Sequence, residues 1–498
     1  MKHFLLKKGR ALPQAVKQRE GLWDPNKFLS KQFGIHSEVF YLPLREDYMM
    51  LSSGVNHLSP PTIWKEIMHK EIEEDFLYQR YTAMDGFQTA NYAVKLYERF
   101  LFSRGNISLK ANLEVCMTIG TSQAASLAVE YLHSIGKKRM LLVGMTYPLY
   151  MALGNEYGYQ MEESRSSFFN RDMPTVKELK DDIERFNPDV VVFTYPCNPS
   201  GEKYKDEELK QILEVLYKMG IYCIFDCVCN MIISEKEVTV PEPIIMESNM
   251  MEKSIIVNSF SKTESVPGFR IGYIAGHFDV IHFVRSKQVM SIMYPPNVPI
   301  IAVWLSLLFR CLYLSEQYGQ EERIRKRIVL CFKRMFFVTT VLSPKAIWDY
   351  VKELVDERLF DEYEKYKEQM FANERIVNSN KEYLIKRLSP FLVGSTNMDG
   401  GFNYLVKLKP CYNLSEMDFC KDLLQKTGIA IFTESGFTLN KAKEDDYWVR
   451  ISLAAPSDIF QKTIDRLYLY LWELEAGCKK SKYEELDIDI DFDFDMIV

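Results

Sequence analysis

No part of this 498-residue chain reads as a membrane span. Its longest apolar run, Ile300 to Leu314, is interrupted by Arg310 and is shorter than the roughly 20 residues a spanning helix needs. The opening residues, MKHFLLKKGRALPQ, are basic but hold few apolar residues in a row, so no secretory signal is expected. There is little net charge: −6 over the whole chain. That excludes a general polyanion-binding surface, and with it nucleic acid as a partner. The ten cysteines lack a paired framework. The densest group, Cys223, Cys227 and Cys229, flanks an apolar strand and has no matching His or Cys cluster downstream, so free buried thiols are expected and a metal site is not. Reduced thiols without an export signal imply the cytoplasm.

What is present is a globular composition, 47% hydrophobic and 26% charged, on a chain too long for one core. Short apolar runs alternate with helix-length amphipathic stretches. The runs are 113–117, 139–143, 189–193, 221–225, 254–257 and 271–275; the helical patterns between them include 121–135, 148–157, 175–186 and 206–219. Val- and Ile-rich strands without in–out alternation, separated by helices, predict an α/β fold with a mostly parallel central sheet flanked by helices.

The expected organisation follows from where this pattern changes. Residues 1–80 form an N-terminal arm and part of a small domain, and 81–300 a large domain. Residues 301–375 are connecting helices with an extra helical insertion. Residues 376–480 are a smaller α+β domain, with short strands at FNYLVKL, IAIFTESGFTL and YWVRISLA and a last helix over 457–475. Residues 481–498 are an acidic tail in which LDIDIDFDFDM alternates strictly, as a solubilising end or as a strand that could add to a sheet edge.

Open parallel sheets bind ligands beyond the carboxyl ends of their strands. The residues after each run therefore matter most. Thr121 and Ser122 open a helix, where free N–H groups and the helix dipole favour a phosphate. Tyr147 sits at a turn before Pro148. Asn198 stands in the turn YPCNPSG. Asp226 ends a strand. The stretch NSFSKTESVPGFR, residues 258–270, then supplies Ser259, Lys262 and Arg270. Singly, each has an ordinary reading as a cap, a turn or a solvated side chain. Together, five consecutive strand ends offer phosphate donors, an aromatic plate, an amide, a carboxylate and an amine.

In these motifs, spread over residues 51–454, the chain resembles the fold-type I pyridoxal-phosphate enzymes, in particular the class I/II aminotransferase family. The resemblance implies pyridoxal 5'-phosphate as cofactor and a Schiff base on Lys262. It puts Arg270, Ser259, Thr121 and Ser122 on the phosphate, Tyr147 stacked on the pyridine ring, Asn198 on the ring hydroxyl and Asp226 on the ring nitrogen. Arg450, in VRISLA, would hold the substrate carboxylate, with Asn198 beside it, and Gly54 would face the substrate. Tyr81 would be lent to the phosphate site of a neighbouring subunit in a homodimer. The implied reaction moves an amino group between an amino acid and a 2-oxo acid. Decarboxylase, lyase, cyclising-synthase or oxidase chemistry shares these residues, because the cofactor carries the chemistry. A non-catalytic cofactor-binding regulator is a further alternative.

Three departures from the family stand out. Cys229 occupies the place, three residues after the aspartate, where many members have a tyrosine donating to the ring hydroxyl. A thiol donates weakly, so the Schiff base should keep its proton to higher pH. Ser291 stands at the best match to the arginine that dicarboxylate-specific members carry, which does not support an acidic side chain on the substrate unless Arg285 substitutes. The span from Arg270 to Arg450 is also longer than usual by roughly sixty residues, most of them in 305–375.

Overall fold

The computed structural model describes residues 49–485, apart from 53, 74–80, 85, 107–111, 165–172, 237, 297–298, 340–344, 410–413 and 440–447. The amino-terminal 48 residues and the alternating acidic segment 486–498 lie outside the described residues.

After a two-residue strand, β1 (Met49–Met50), seven strands build the large sheet: β2 (Glu114–Ile119), β3 (Arg139–Leu142), β4 (Gln160–Glu163), β5 (Val190–Thr194), β6 (Tyr222–Asp226), β7 (Ser254–Ser259) and β8 (Ile271–Gly276). Their order is β2-β8-β7-β6-β5-β3-β4. All neighbouring pairs are parallel except those of β8, which runs antiparallel to both β7 and β2. That reversal matters for the site. The start of β8, where Arg270 sits, falls at the same end of the sheet as the ends of β7 and β2. Every residue of β5, β7 and β8 is buried, as expected of strands covered by helices on both faces.

Local signals set the helix ends. Thr175 and Glu178 form a reciprocal capping box at the start of Val176–Phe186. Asp206–Met219 stops at Gly220, which takes the left-handed conformation that most residues avoid.

A second core gathers around a four-stranded antiparallel sheet, ordered β12 (Phe432–Thr433), β13 (Trp448–Ser452), β10 (Asn403–Leu408), β9 (Leu392–Ser395). β1 joins β11 (Ile429–Ala430) in parallel beside it, so the chain before residue 60 contributes to this unit, with Leu51 and Leu58 in its core. The segment IAIFTESGFTL is not one strand. It divides into β11, β12 and a 3-10 turn at Glu434–Gly436. The last helix is longer than the sequence pattern suggests, reaching Glu485.

The helix Leu359–Leu388 joins the two cores: Tyr363, Tyr366 and Met370 pack in the first, Val377, Leu384 and Leu388 in the second. Before it come the helices Glu322–Thr339 and Lys345–Glu353. They are packed rather than loose: Trp304 meets Phe336 at 5.1 Å, and Phe337 meets Trp348 edge-on at 5.1 Å. The apolar helix Ile300–Gln317 runs 18 residues with mean hydropathy 1.3, so it is longer and nearer to spanning length than the sequence reading allowed. It lies inside the protein, 89% buried. Arg310 at its middle is paired with Glu264 at 2.6 Å, and Glu71 accepts the backbone N–H groups of Ile300 and Ile301 at its start.

Candidate active site

The carboxyl end of the large sheet opens into a cavity of about 190 Å³. Its walls hold Gly54, Thr121, Ser122, Tyr147, Asn198, Asp226, Ser259, Lys262, Arg270 and Arg450, brought together from across almost 400 positions of chain. Tyr81 is not among them. It is 87% exposed and lies against Tyr294 at 5.3 Å. Arg285 faces Glu114 at 3.9 Å, away from this cavity, and Ser291 is exposed and donates to the Lys287 carbonyl. Within this subunit Arg285 therefore does not replace the missing arginine.

At one end of the cavity is an anion cradle. The helix Gly120–Ser134 begins directly at the end of β2, with Gly120 at φ +68°. A Cβ on Gly120 would stand 2.7 Å from Arg270 Nη2, and one on Gly272 would stand 2.5 Å from the Gly120 carbonyl carbon. Only glycine at both positions lets the helix start, β8 and the guanidinium converge. Thr121 Oγ1 is buried there without a hydrogen-bond partner. Free helix N–H groups, an unpartnered hydroxyl and an arginine are the donors a phosphate requires. Pyridoxal phosphate fits this cradle by its donor set, with Ser259 and Ser261 on the same wall.

Asp226 closes the floor. It is 3% exposed, and burial pushes its carboxyl up to about 6. Two donors oppose that rise: the Val228 N–H at 3.2 Å and the Tyr150 hydroxyl at 3.1 Å. Tyr150 is a site residue that the sequence reading missed. It lies one helical turn after Tyr147, an i, i+3 spacing that puts both rings on one face.

Lys262 follows β7 in a short turn, its carbonyl accepting from Asn56 Nδ2 at 2.9 Å. Burial lowers the pKa of its amine, and the cations Arg450 and Arg270 push the same way while Cys229 and Asp226 oppose. Cys229 is buried at the cavity wall, and burial pushes its thiol up to about 11, so it is a neutral, weak donor.

Arg450 projects from β13. Nη1 donates to Asn198 Oδ1 at 2.9 Å and Nη2 to the Ser52 carbonyl, while Nε is buried without a partner. The guanidinium sits 4.7 Å from the Phe437 ring centre and 5.3 Å from that of Phe432. These two aromatics were also missed in the sequence. A Cβ on Gly54 would come within 3.1 Å of Nη2. Burial lowers the Arg450 pKa to about 10. A desolvated cation of this kind favours an anionic partner.

The family profile described as aminotransferase class I and II matches residues 46–306. The chain belongs to that family. As a class I/II aminotransferase it is a pyridoxal-phosphate-dependent transferase of amino groups. It is 24% identical over 429 residues to a probable N-acetyl-LL-diaminopimelate aminotransferase of Bacillus subtilis (strain 168), covering 86% of this chain and 90% of that one. An aspartate aminotransferase of Pyrococcus abyssi (strain GE5 / Orsay) is 21% identical over 377 residues, 75% of this chain and 80% of the other. The fold matches that of an aromatic aminotransferase from Pyrococcus horikoshii OT3 with a TM-score of 0.62 at 18% identity, covering 89% of this chain and 99% of that one. In this aminotransferase the seven-stranded sheet, the flanking helices and the second small sheet are thus those of fold type I.

Proposed function

We propose that the protein transfers an amino group from an amino acid to a 2-oxo acid with Lys262 as its catalytic lysine. The observation that supports this most is the meeting of the Lys262 amine, the Asp226 carboxylate and the Arg450 guanidinium on one cavity. Bound there, pyridoxal phosphate supplies an aldehyde that takes the substrate's amino group and a ring that takes up the electron pair left on Cα.

The chain's own residues do the rest. Thr121, Ser122, Ser259 and Arg270 hold the phosphate. Tyr147 would cover one ring face. Asn198 would meet the ring hydroxyl, and Asp226, whose rise on burial is opposed by the Val228 N–H and the Tyr150 hydroxyl, would meet the ring nitrogen. Arg450 takes the substrate carboxylate by two parallel hydrogen bonds, which fixes the Cα–H bond relative to the lysine. Lys262 then removes the proton from Cα as a neutral amine and returns it on the far side of the transfer.

Phe432, Phe437 and Leu149 line the substrate end, and among the described residues Arg270 and Arg450 are the arginines on the cavity. Supported by that lining, the preferred amino acid has an uncharged side chain. The exposed Tyr81, with Met84, Met290 and Met293 also exposed, supports a homodimer in which Tyr81 reaches the partner's phosphate site. The eight described cysteines form no disulfide, which supports a reducing, cytoplasmic setting.

The test is a half-reaction. Holoenzyme mixed with a panel of single amino acids should release the matching 2-oxo acid in one equivalent and lose its aldehyde-form absorbance. Release of carbon dioxide or ammonia instead would replace transfer with decarboxylation or elimination. No spectral change with any amine would point to a binding protein.

A further inference from the structure

A second cavity, of about 50 Å³, shares no lining residue with the first and takes its walls from both cores. Its walls come from the 230–238 segment, the turn 398–402 and the helix Leu359–Leu388. We propose that it is a binding site for a short aliphatic carboxylate, held by Lys203 and Asn373.

Two polar side chains on this cavity have no partner to explain them. The Lys203 ammonium makes no hydrogen bond or ion pair among the described residues, and neither does the Asn373 amide. Lys203 is pinned at its backbone, where its N–H donates to Asp399 Oδ2 at 3.2 Å, and its Nζ would stand 3.2 Å from a Cβ on Gly400. Gly400 thus leaves the space through which the ammonium reaches the cavity. Burial lowers that ammonium to about 8, with Asp399 acting against the fall and Lys236 with it.

The other charged groups on the wall, Lys236, Asp399 and Glu374, are already engaged. Lys236 Nζ donates to Asn378 Oδ1 at 3.5 Å, and Asp399 accepts the Lys203 backbone N–H. Glu374 accepts from the Ser234 hydroxyl at 2.7 Å and from the Glu235 N–H at 2.6 Å. The Lys203 ammonium and the Asn373 amide, without partners among the described residues, therefore face a space whose apolar lining includes Met370, Val377, Met398 and Phe402. That lining suits a ligand with one negative charge and a short apolar tail, since a doubly charged phosphate would press its remaining charge against apolar walls. A volume of 50 Å³ holds about four waters, which is the size of a three- or four-carbon acid. Asn56 borders the same cavity and donates to the Lys262 carbonyl, so an occupant would sit one side chain from the catalytic lysine.

The inference concerns binding alone and stands apart from the proposed transfer reaction. Propionate is titrated calorimetrically into Arg450→Met holoenzyme, in which the carboxylate clamp of the first cavity is gone. One saturable site is expected. Adding Lys203→Met should weaken it about tenfold, the effect of one lost charged hydrogen bond, and Lys203→Arg should recover most of the loss. Asn373→Leu, which keeps the cation, should weaken it less. Absence of a saturable site in the Arg450→Met protein overturns the proposal, as does binding that ignores Lys203→Met. Inorganic phosphate binding more tightly than propionate at the Lys203-dependent site would overturn the assigned ligand class. The loss of transfer activity that Arg450→Met causes has no bearing on these outcomes.

Discussion

The hydroxyl of Tyr150 donates a 3.1 Å hydrogen bond to Oδ2 of Asp226. This buried contact lowers the pKa of the carboxyl against the upward push of burial. Tyr150→Phe should lower kcat for amino transfer by about tenfold, with little change in KM, because the loss falls on the ring nitrogen and not on the substrate. Steady-state kinetics with a single amino acid would check it. An unchanged kcat would remove Tyr150 from the machinery.

Asp226 predicts a stability effect in the cofactor-free protein. Its folded pKa, about 6, lies above the ordinary 3.8. The folded state therefore binds this proton more tightly than the unfolded state does. Stability relative to low pH therefore falls as pH rises from about 4 through 6, and the loss reaches about 3 kcal/mol at alkaline pH. Asp226→Asn apoprotein should be more resistant to denaturant than wild type at pH 8, by up to that amount, and equal to it near pH 4. Equal stability at both would contradict the strain assigned to this carboxylate.

Arg450 is tied to Asn198 and Ser52 and lies over two phenylalanines. A lysine cannot make two parallel bonds to a carboxylate. Arg450→Lys should raise KM for the amino acid about a hundredfold while cofactor binding is kept. Gly54→Ala should act in the same direction, because its φ of +54° and a Cβ 3.1 Å from Nη2 both push the guanidinium out of place. Cofactor affinity measured beside KM separates this from general damage to the fold.

Much of this site is legible in the sequence, for a physical reason. Strands buried on both faces must be apolar throughout, so Val190–Thr194 and Ser254–Ser259 stand out, and the polar residue that ends each run is conspicuous. Asp226, Asn198 and Lys262 are found in this way. Tyr150 is hidden because it lies inside a helix, where a tyrosine resembles any core aromatic. Phe432 and Phe437 are hidden because their segment reads as one strand, while the turn at Glu434–Gly436 folds both rings beneath Arg450. Lys203 and Asn373 lie 170 positions apart and meet at a cavity only because the helix Leu359–Leu388 crosses between the cores. The packed state of the helices after Ile300 was equally out of reach, since charge-rich stretches such as EERIRKR look the same in a lid and in a hairpin.

Cys229 bears on the pH response of the bound cofactor. Its thiol is buried on the cavity wall and neutral, and in the proposed site it would stand in for a phenolic donor at the ring hydroxyl. The visible band of the holoenzyme should keep its protonated form into the alkaline range. A spectrophotometric pH titration would show this, and an acidic midpoint would contradict it.

The central claim is that Lys262 is the residue that bonds the cofactor. Borohydride reduction of the holoenzyme, followed by proteolysis and mass spectrometry, tests it most directly. The account predicts a single phosphopyridoxyl-modified peptide, with the added mass on Lys262 and none in the Lys262→Ala protein. Modification of another lysine, or none at all in protein loaded with pyridoxal phosphate, would contradict it.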